Sequence, residues 1–115
     1  MSQIERIGTT KRWSDVVLHG QTAYFVEVPD TLHADIQTQT REVLTSIERR
    51  LSGFGSDKSR LLQVVIYLTD MRYIAEMNEL WDAWLPEGSA PSRACVKAEL
   101  ADPGYKIEMV ITAAR

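Results

Sequence analysis

Residues 61–68, Leu61-Leu62-Gln63-Val64-Val65-Ile66-Tyr67-Leu68, form a nearly continuous apolar run bounded by polar segments. The run has the length of a strand. Apolar side chains at almost every position are what a central strand covered on both faces requires. The chain must therefore supply neighbouring strands for it and a layer to cover it.

The covering layer is legible in the flanking periodicity. Over residues 33–52, Ile36, Val43, Leu44, Ile47 and Leu51 recur at helical spacing with charges between them, which predicts an amphipathic helix with one buried face. Pro29-Asp30-Thr31 offers its N-cap and Gly53 its stop. Beyond the apolar run, Thr69 or Asp70 can cap a second helix carrying Ile74, Met77, Leu80, Trp81 and Trp84, which ends before Pro86.

The remaining strands follow from β-rich runs between turn residues. Residues 15–19 and 22–28 flank Gly20-Gln21 and read as a hairpin, with a short strand over Gln3 to Ile7 ahead of it. Two further strands, residues 92–100 and 106–111, surround Ala101-Asp102-Pro103-Gly104. The predicted order is β-β-α-β-α-β-β, an α+β domain spanning residues 1–115 with two helices on one face of a mixed sheet. The other face is also apolar in part, and burial against other subunits is the natural answer.

Composition narrows the function classes. At 115 residues with 44% hydrophobic and 25% charged side chains, the chain reads as one soluble globular domain. A net charge of −3 and a pI near 5.3 give no global field favouring nucleic acid. The stretch from Met1 to Arg6 has no apolar core of signal-peptide length, and no run reaches membrane-spanning length, so the expected location is cytoplasmic. Cys95 is the one thiol, which excludes an intrachain disulfide and a multi-cysteine zinc site. His19 and His33 are too isolated to suggest a metal centre.

Two charged residues stand out among apolar neighbours in the last two strands. Arg93 is a fixed, planar cationic fork for a carboxylate, and Glu108 can handle a proton or orient a water. Strand alternation puts Arg93, Cys95 and Lys97 on one face, where a solvated arginine is the plain alternative. If residues 101–104 make a four-residue turn, Lys97 lies opposite Glu108, and a cross-strand ion pair is the rival account of that glutamate. The same register sets Arg93 opposite Thr112, roughly 13 Å along the strand from Glu108. One hairpin then cannot bring both charges to one small ligand.

Arg93-Ala94-Cys95-Val96, preceded by Pro91 and followed by Ile107-Glu108-Met109, resembles the signature of the RidA family (YjgF/YER057c). Trp13-Ser14-Asp15-Val16-Val17, Tyr24-Phe25 to Pro29, Leu61 to Thr69 and Met77-Asn78…Trp81 extend the resemblance over nearly the whole chain, most closely to the shorter YoaB-type members. It implies a chorismate-mutase-like fold and a homotrimer with clefts between adjacent subunits. It also implies hydrolysis of small carboxylate-bearing imines and enamines, such as 2-aminoacrylate, to 2-keto acid and ammonia, without metal or organic cofactor. In that scheme Arg93 holds the carboxylate, Glu108 orients or activates water, and the Cys95 backbone donates a hydrogen bond. Trp13 stands where archetypes carry a tyrosine, which keeps an aromatic wall without the hydroxyl. Glu27 stands near an archetypal glycine, where it would repel an acidic substrate, pair with Arg93 or point away. These two departures motivate the alternative of a non-catalytic metabolite-binding trimer. The acidic pI argues against the ribonuclease activity sometimes attached to the family.

Overall fold

The computed structural model describes residues 3–115; Met1 and Ser2, part of the stretch read for a signal peptide, lie outside the described residues. In chain order the elements are β1 (Ile4–Ile7), β2 (Val16–His19), β3 (Thr22–Glu27), α1 (Ile36–Gly53), β4 (Leu61–Leu68), α2 (Ile74–Trp84), β5 (Ser92–Lys97) and β6 (Ile107–Ala114). The strands form one six-stranded sheet of order β1-β2-β3-β6-β4-β5. Both helices pack on one face of it, as the periodicity requires.

Local chemistry sets the element ends. Gly20, with φ of 60°, supplies the left-handed residue that closes the β2–β3 hairpin. Helix α1 begins later than Pro29-Asp30-Thr31 suggests. Its N-cap is Asp35, whose Oδ1 accepts from the Thr38 N–H at 2.7 Å. Thr31 is engaged elsewhere, donating its N–H and hydroxyl to the Glu42 carboxylate at 3.0 and 2.6 Å. Gly53 lies inside the helix, Phe54 caps it, and the left-handed turn falls on Gly55 instead. Asp70 caps a 3₁₀ turn that leads into α2 and accepts the Arg72 guanidinium; these hydrogen bonds hold its carboxyl down at about 2.

The expected β5–β6 hairpin does not form. β5 pairs parallel to β4, with Arg93 beside Val64 and Val96 beside Tyr67, whereas β6 runs antiparallel between β3 and β4. Helix α2 is the reason, because a strand–helix–strand crossover returns the chain parallel to its starting strand. Residues 98–106 then step over the end of β4, with Ala98 N–H bonding Leu68 O at 3.0 Å and Thr69 N–H bonding Lys106 O at 3.1 Å.

The core lies between sheet and helices. Val64, Ile66, Leu68, Met109 and Ile111 meet Val43, Ile47, Leu51 and Met77, all 0 or 1% exposed. The expected double covering of β4 is half met within one chain. Leu61, Val64, Ile66 and Leu68 are buried, while Val65 and Tyr67 face out from the sheet's other side. The molecule is only 20 Å along its thinnest axis, room for one sheet and one helical layer. On the uncovered face Tyr24, Val26 and Val96 remain 45, 50 and 42% exposed, an apolar surface suited to burial against protein.

Two polar groups are built into this core. Gln39, 0% exposed, donates to Thr31 O at 3.0 Å and Gly104 O at 2.8 Å and accepts from Lys106 N–H at 2.7 Å. It thereby pins the residue just before β6. Glu27, 7% exposed at the end of β3, accepts from Arg50 Nε of α1 at 3.3 Å.

Gln39→Leu leaves the Lys106 N–H without its partner and takes one of two donors from the Gly104 and Thr31 carbonyls, which keep the His33 and Ala34 N–H groups. The loss is about 2 kcal/mol, readable as a lower urea midpoint. Glu27 has a folded pKa raised above 4.5, chiefly by burial, with Arg50 opposing the rise. The stability contributed by its neutral form is full below that value and is lost as pH rises through the raised one. Glu27→Gln should accordingly cost less stability at pH 7 than at pH 4, as urea unfolding at the two pH values would reveal.

Candidate functional site

Arg93 lies on β5, the last strand in the sheet order, so part of this strand's backbone faces outward without a neighbouring strand. Its side chain points to the helical side, where two residues of α2 hold it. Nη1 donates to Asn78 Oδ1 at 2.8 Å, and the guanidinium carbon lies 5.4 Å from the Trp81 ring centroid. The residue is nevertheless exposed. One nitrogen is taken and the plane is supported by an indole, leaving the rest of the fork open to a carboxylate.

Asn78 and Trp81 form part of this arrangement although the sequence reading assigned neither a place in the site. Their signal was available, since i and i+3 of a helix share a face. Which strand that face would meet was not, because β5 lies 15 residues from Asn78 in sequence.

Cys95 shares the helical face of β5 with Arg93 and Lys97, as alternation predicts, and is half-buried against the core. Burial pushes its thiol up, outweighing the Arg93 charge, so it stays protonated near neutral pH and is a poor nucleophile.

Glu108 stands elsewhere. It pairs with Tyr67 in the β4–β6 ladder and lies half-buried on the uncovered face, between buried Ile107 and Met109. With Tyr67, Ala98, Glu99, Leu100 and Val110 it lines a hollow of about 310 Å³. The anticipated Lys97–Glu108 pair is absent: Lys97 lies beside Leu68 on the helical face, and β4 separates β5 from β6. Arg93 and Glu108 thus occupy opposite faces, two strands apart.

Trp13 is 60% exposed in the loop joining β1 to β2, at the far edge of the sheet. The row Ile7–Val16–Phe25–Ile111–Val64–Arg93 crosses all six strands, so the Trp13 loop and Arg93 sit at opposite ends of one row. Five interstrand spacings separate those ends, roughly 24 Å. Glu27 forms its ion pair with Arg50 and is not brought to Arg93. A larger hollow of about 820 Å³, among Thr69, Tyr73, Lys97, Asp102 and Tyr105, holds neither Arg93 nor Glu108. Its size alone does not make it the site, since it lacks a supported, open guanidinium. Among the described residues no group of three His, Cys, Asp or Glu side chains is placed to hold a metal ion.

Comparison with known proteins identifies the fold and the family. The family model described as "Endoribonuclease L-PSP" matches residues 3–115. The RutC family protein YoaB of Escherichia coli is 46% identical over 111 residues, covering 96% of this chain and 97% of that protein. A RutC family protein of Haemophilus influenzae is 45% identical over 112 residues, with 96 and 97% covered. Among solved structures, a Pseudomonas aeruginosa protein superposes with a TM-score of 0.95 at 46% identity, covering 98% of this chain and 99% of that one. A YjgF family member from Neisseria meningitidis gives 0.93 at 43% identity, with 98 and 95% covered. The two-helix mixed sheet with its central C-terminal strand is therefore the chorismate-mutase-like fold, and the chain belongs to the RidA/YjgF (RutC) family, in its YoaB-like branch.

Proposed function

We propose that this protein is a homotrimeric deaminase that hydrolyses small imines and enamines carrying a carboxylate. The observation that carries the reading is the Arg93 guanidinium, oriented by Asn78 at 2.8 Å and by the Trp81 ring yet open to solvent. An arginine supported in this way loses little freedom on gripping a carboxylate, which favours a bidentate pair.

The sheet supports the assembly. Trp13 and Arg93 lie at opposite edges, so one chain cannot place both on one small molecule. Copies arranged head to tail in a closed ring put the Trp13 loop of one beside Arg93 of the next. The same ring buries the apolar face around Val26 and Val96. Glu108 lies on that face, and a cleft between copies is where it and Arg93 meet one ligand.

The chemistry is hydrolysis. An enamine first takes a proton on carbon and releases one from nitrogen to become the imine. Glu108 orients a water and takes its proton as oxygen bonds to the imine carbon, while the C=N electron pair moves to nitrogen, which is protonated. The resulting carbinolamine gives up its hydroxyl proton while the proton held by Glu108 passes to nitrogen. The O–H electron pair forms the C=O bond as the C–N bond breaks, and ammonia and the 2-keto acid are released. Arg93 keeps the carboxylate fixed throughout, and Trp13 walls the cleft.

With imines generated fresh in solution, Arg93→Ala should weaken binding of a keto acid such as pyruvate about tenfold to a hundredfold. Glu108→Gln should retain that binding and lose about a hundredfold in kcat. Full turnover by Arg93→Ala would refute the scheme. Light scattering should give a mass three times 13.0 kDa for the wild type, and Val26→Arg on the uncovered face should lower both that mass and the activity.

A further inference from the structure

We propose that Arg50 is a positioning residue: clamped by buried Glu27, it fixes the loop of residues 8–15 through Asp15 and so sets where Trp13 stands. This rests on the reading above in which Trp13 walls the substrate cleft, and it gives Glu27 a role outside that cleft.

The loop is knitted to itself. Asp15 N–H donates to Ile7 O at 2.8 Å, Thr10 N–H to Trp13 O at 2.7 Å, and the Thr9 and Ser14 hydroxyls bond each other at 2.8 Å. The Thr10 hydroxyl also accepts from the N–H groups of Arg12 and Trp13, each at 3.2 Å. Gly8, with φ of 65°, closes the loop so tightly that a Cβ there would collide with the Asp15 carboxylate. These bonds give the loop a shape and tie its base to β1, but none of them reaches the helices. Among the described residues, its polar contact with the helical layer is Asp15 Oδ2 to Arg50 Nη2 at 3.9 Å.

Arg50 suits that task because its other side is anchored. Its Nε lies 3.3 Å from Glu27 Oε2, and Glu27 is 7% exposed. A buried carboxylate without its cation is costly, so Glu27 holds the guanidinium in place. The long arginine, on α1, then presents Nη2 to the loop at the sheet's edge. The post is planar and rigid where a lysine would swing.

The test separates the tether from overall stability. Asp15→Asn removes the attraction without burying an unpaired charge. The double variant Glu27→Gln/Arg50→Met removes post and anchor together and leaves no orphaned carboxylate. Trypsin cleavage after Lys11 and Arg12, both exposed in the loop, reports loop opening, and urea unfolding reports the rest of the fold. Both variants should be nicked about two- to fivefold faster than the wild type, and should bind pyruvate weaker by a similar factor. Arg50→Lys should recover part of each loss. Unchanged nicking overturns the proposal, as does faster nicking with pyruvate binding unaltered. If the wild type itself does not bind pyruvate, the binding role of Trp13 fails, and nicking alone decides whether Arg50 holds the loop.

Discussion

The fold turns on the C-terminal strand lying between β3 and β4. β6 is hydrogen-bonded on both sides, pairing with β3 from Thr22 to Glu27 and with β4 from Leu61 to Leu68. Without it the β1–β2–β3 meander and the β4–α2–β5 unit would not share a sheet. A strand recruited last in sequence must have its register defined by something other than a tight turn. Gln39 supplies this, because its buried amide grips the backbone at Thr31, Gly104 and Lys106 at once. The cost of leaving the Lys106 N–H unpaired makes the register specific.

That insertion decides where the two candidate charges sit. It pushes β5 to the sheet's edge, so Arg93 leans against α2 with its fork free. It also places Glu108 in the middle of the uncovered face, beside Tyr67. The two charges that the sequence sets on neighbouring strands are divided by β4 and by the plane of the sheet. At the other edge the Trp13 loop is equally remote from Arg93. The proposed ring of copies draws on both features, the remote edges and the apolar uncovered face.

Apolar spacing made the helices legible: Val43, Ile47 and Leu51 mark one stripe and Met77 and Trp81 another, and each stripe is buried. The β2–β3 hairpin followed from Gly20 in the same way, since a two-residue turn is a local matter. β5 and β6 are close in sequence yet do not pair, because the α2 crossover returns β5 parallel to the edge of β4. Among candidate residues, Arg93 was legible as a charge in an apolar strand. Its supporters Asn78 and Trp81 were not, since they reach it through the packing of α2 on the sheet. Glu27 was also unreadable by itself: its partner Arg50 is 23 residues away on another layer.

The sequence by itself determined the elements, the buried stripe of each, the family and the chemical types at hand, because these depend on spacing within a dozen residues and on side-chain identity. Only the tertiary structure decided which strands are neighbours, which face each charge occupies and which groups neutralise one another. Those outcomes depend on hydrogen-bond ladders and buried pairs between residues distant in sequence. Arg93 could be picked out from its neighbours in the chain; that it faces α2, while Glu108 faces the uncovered side, is a property of the sheet.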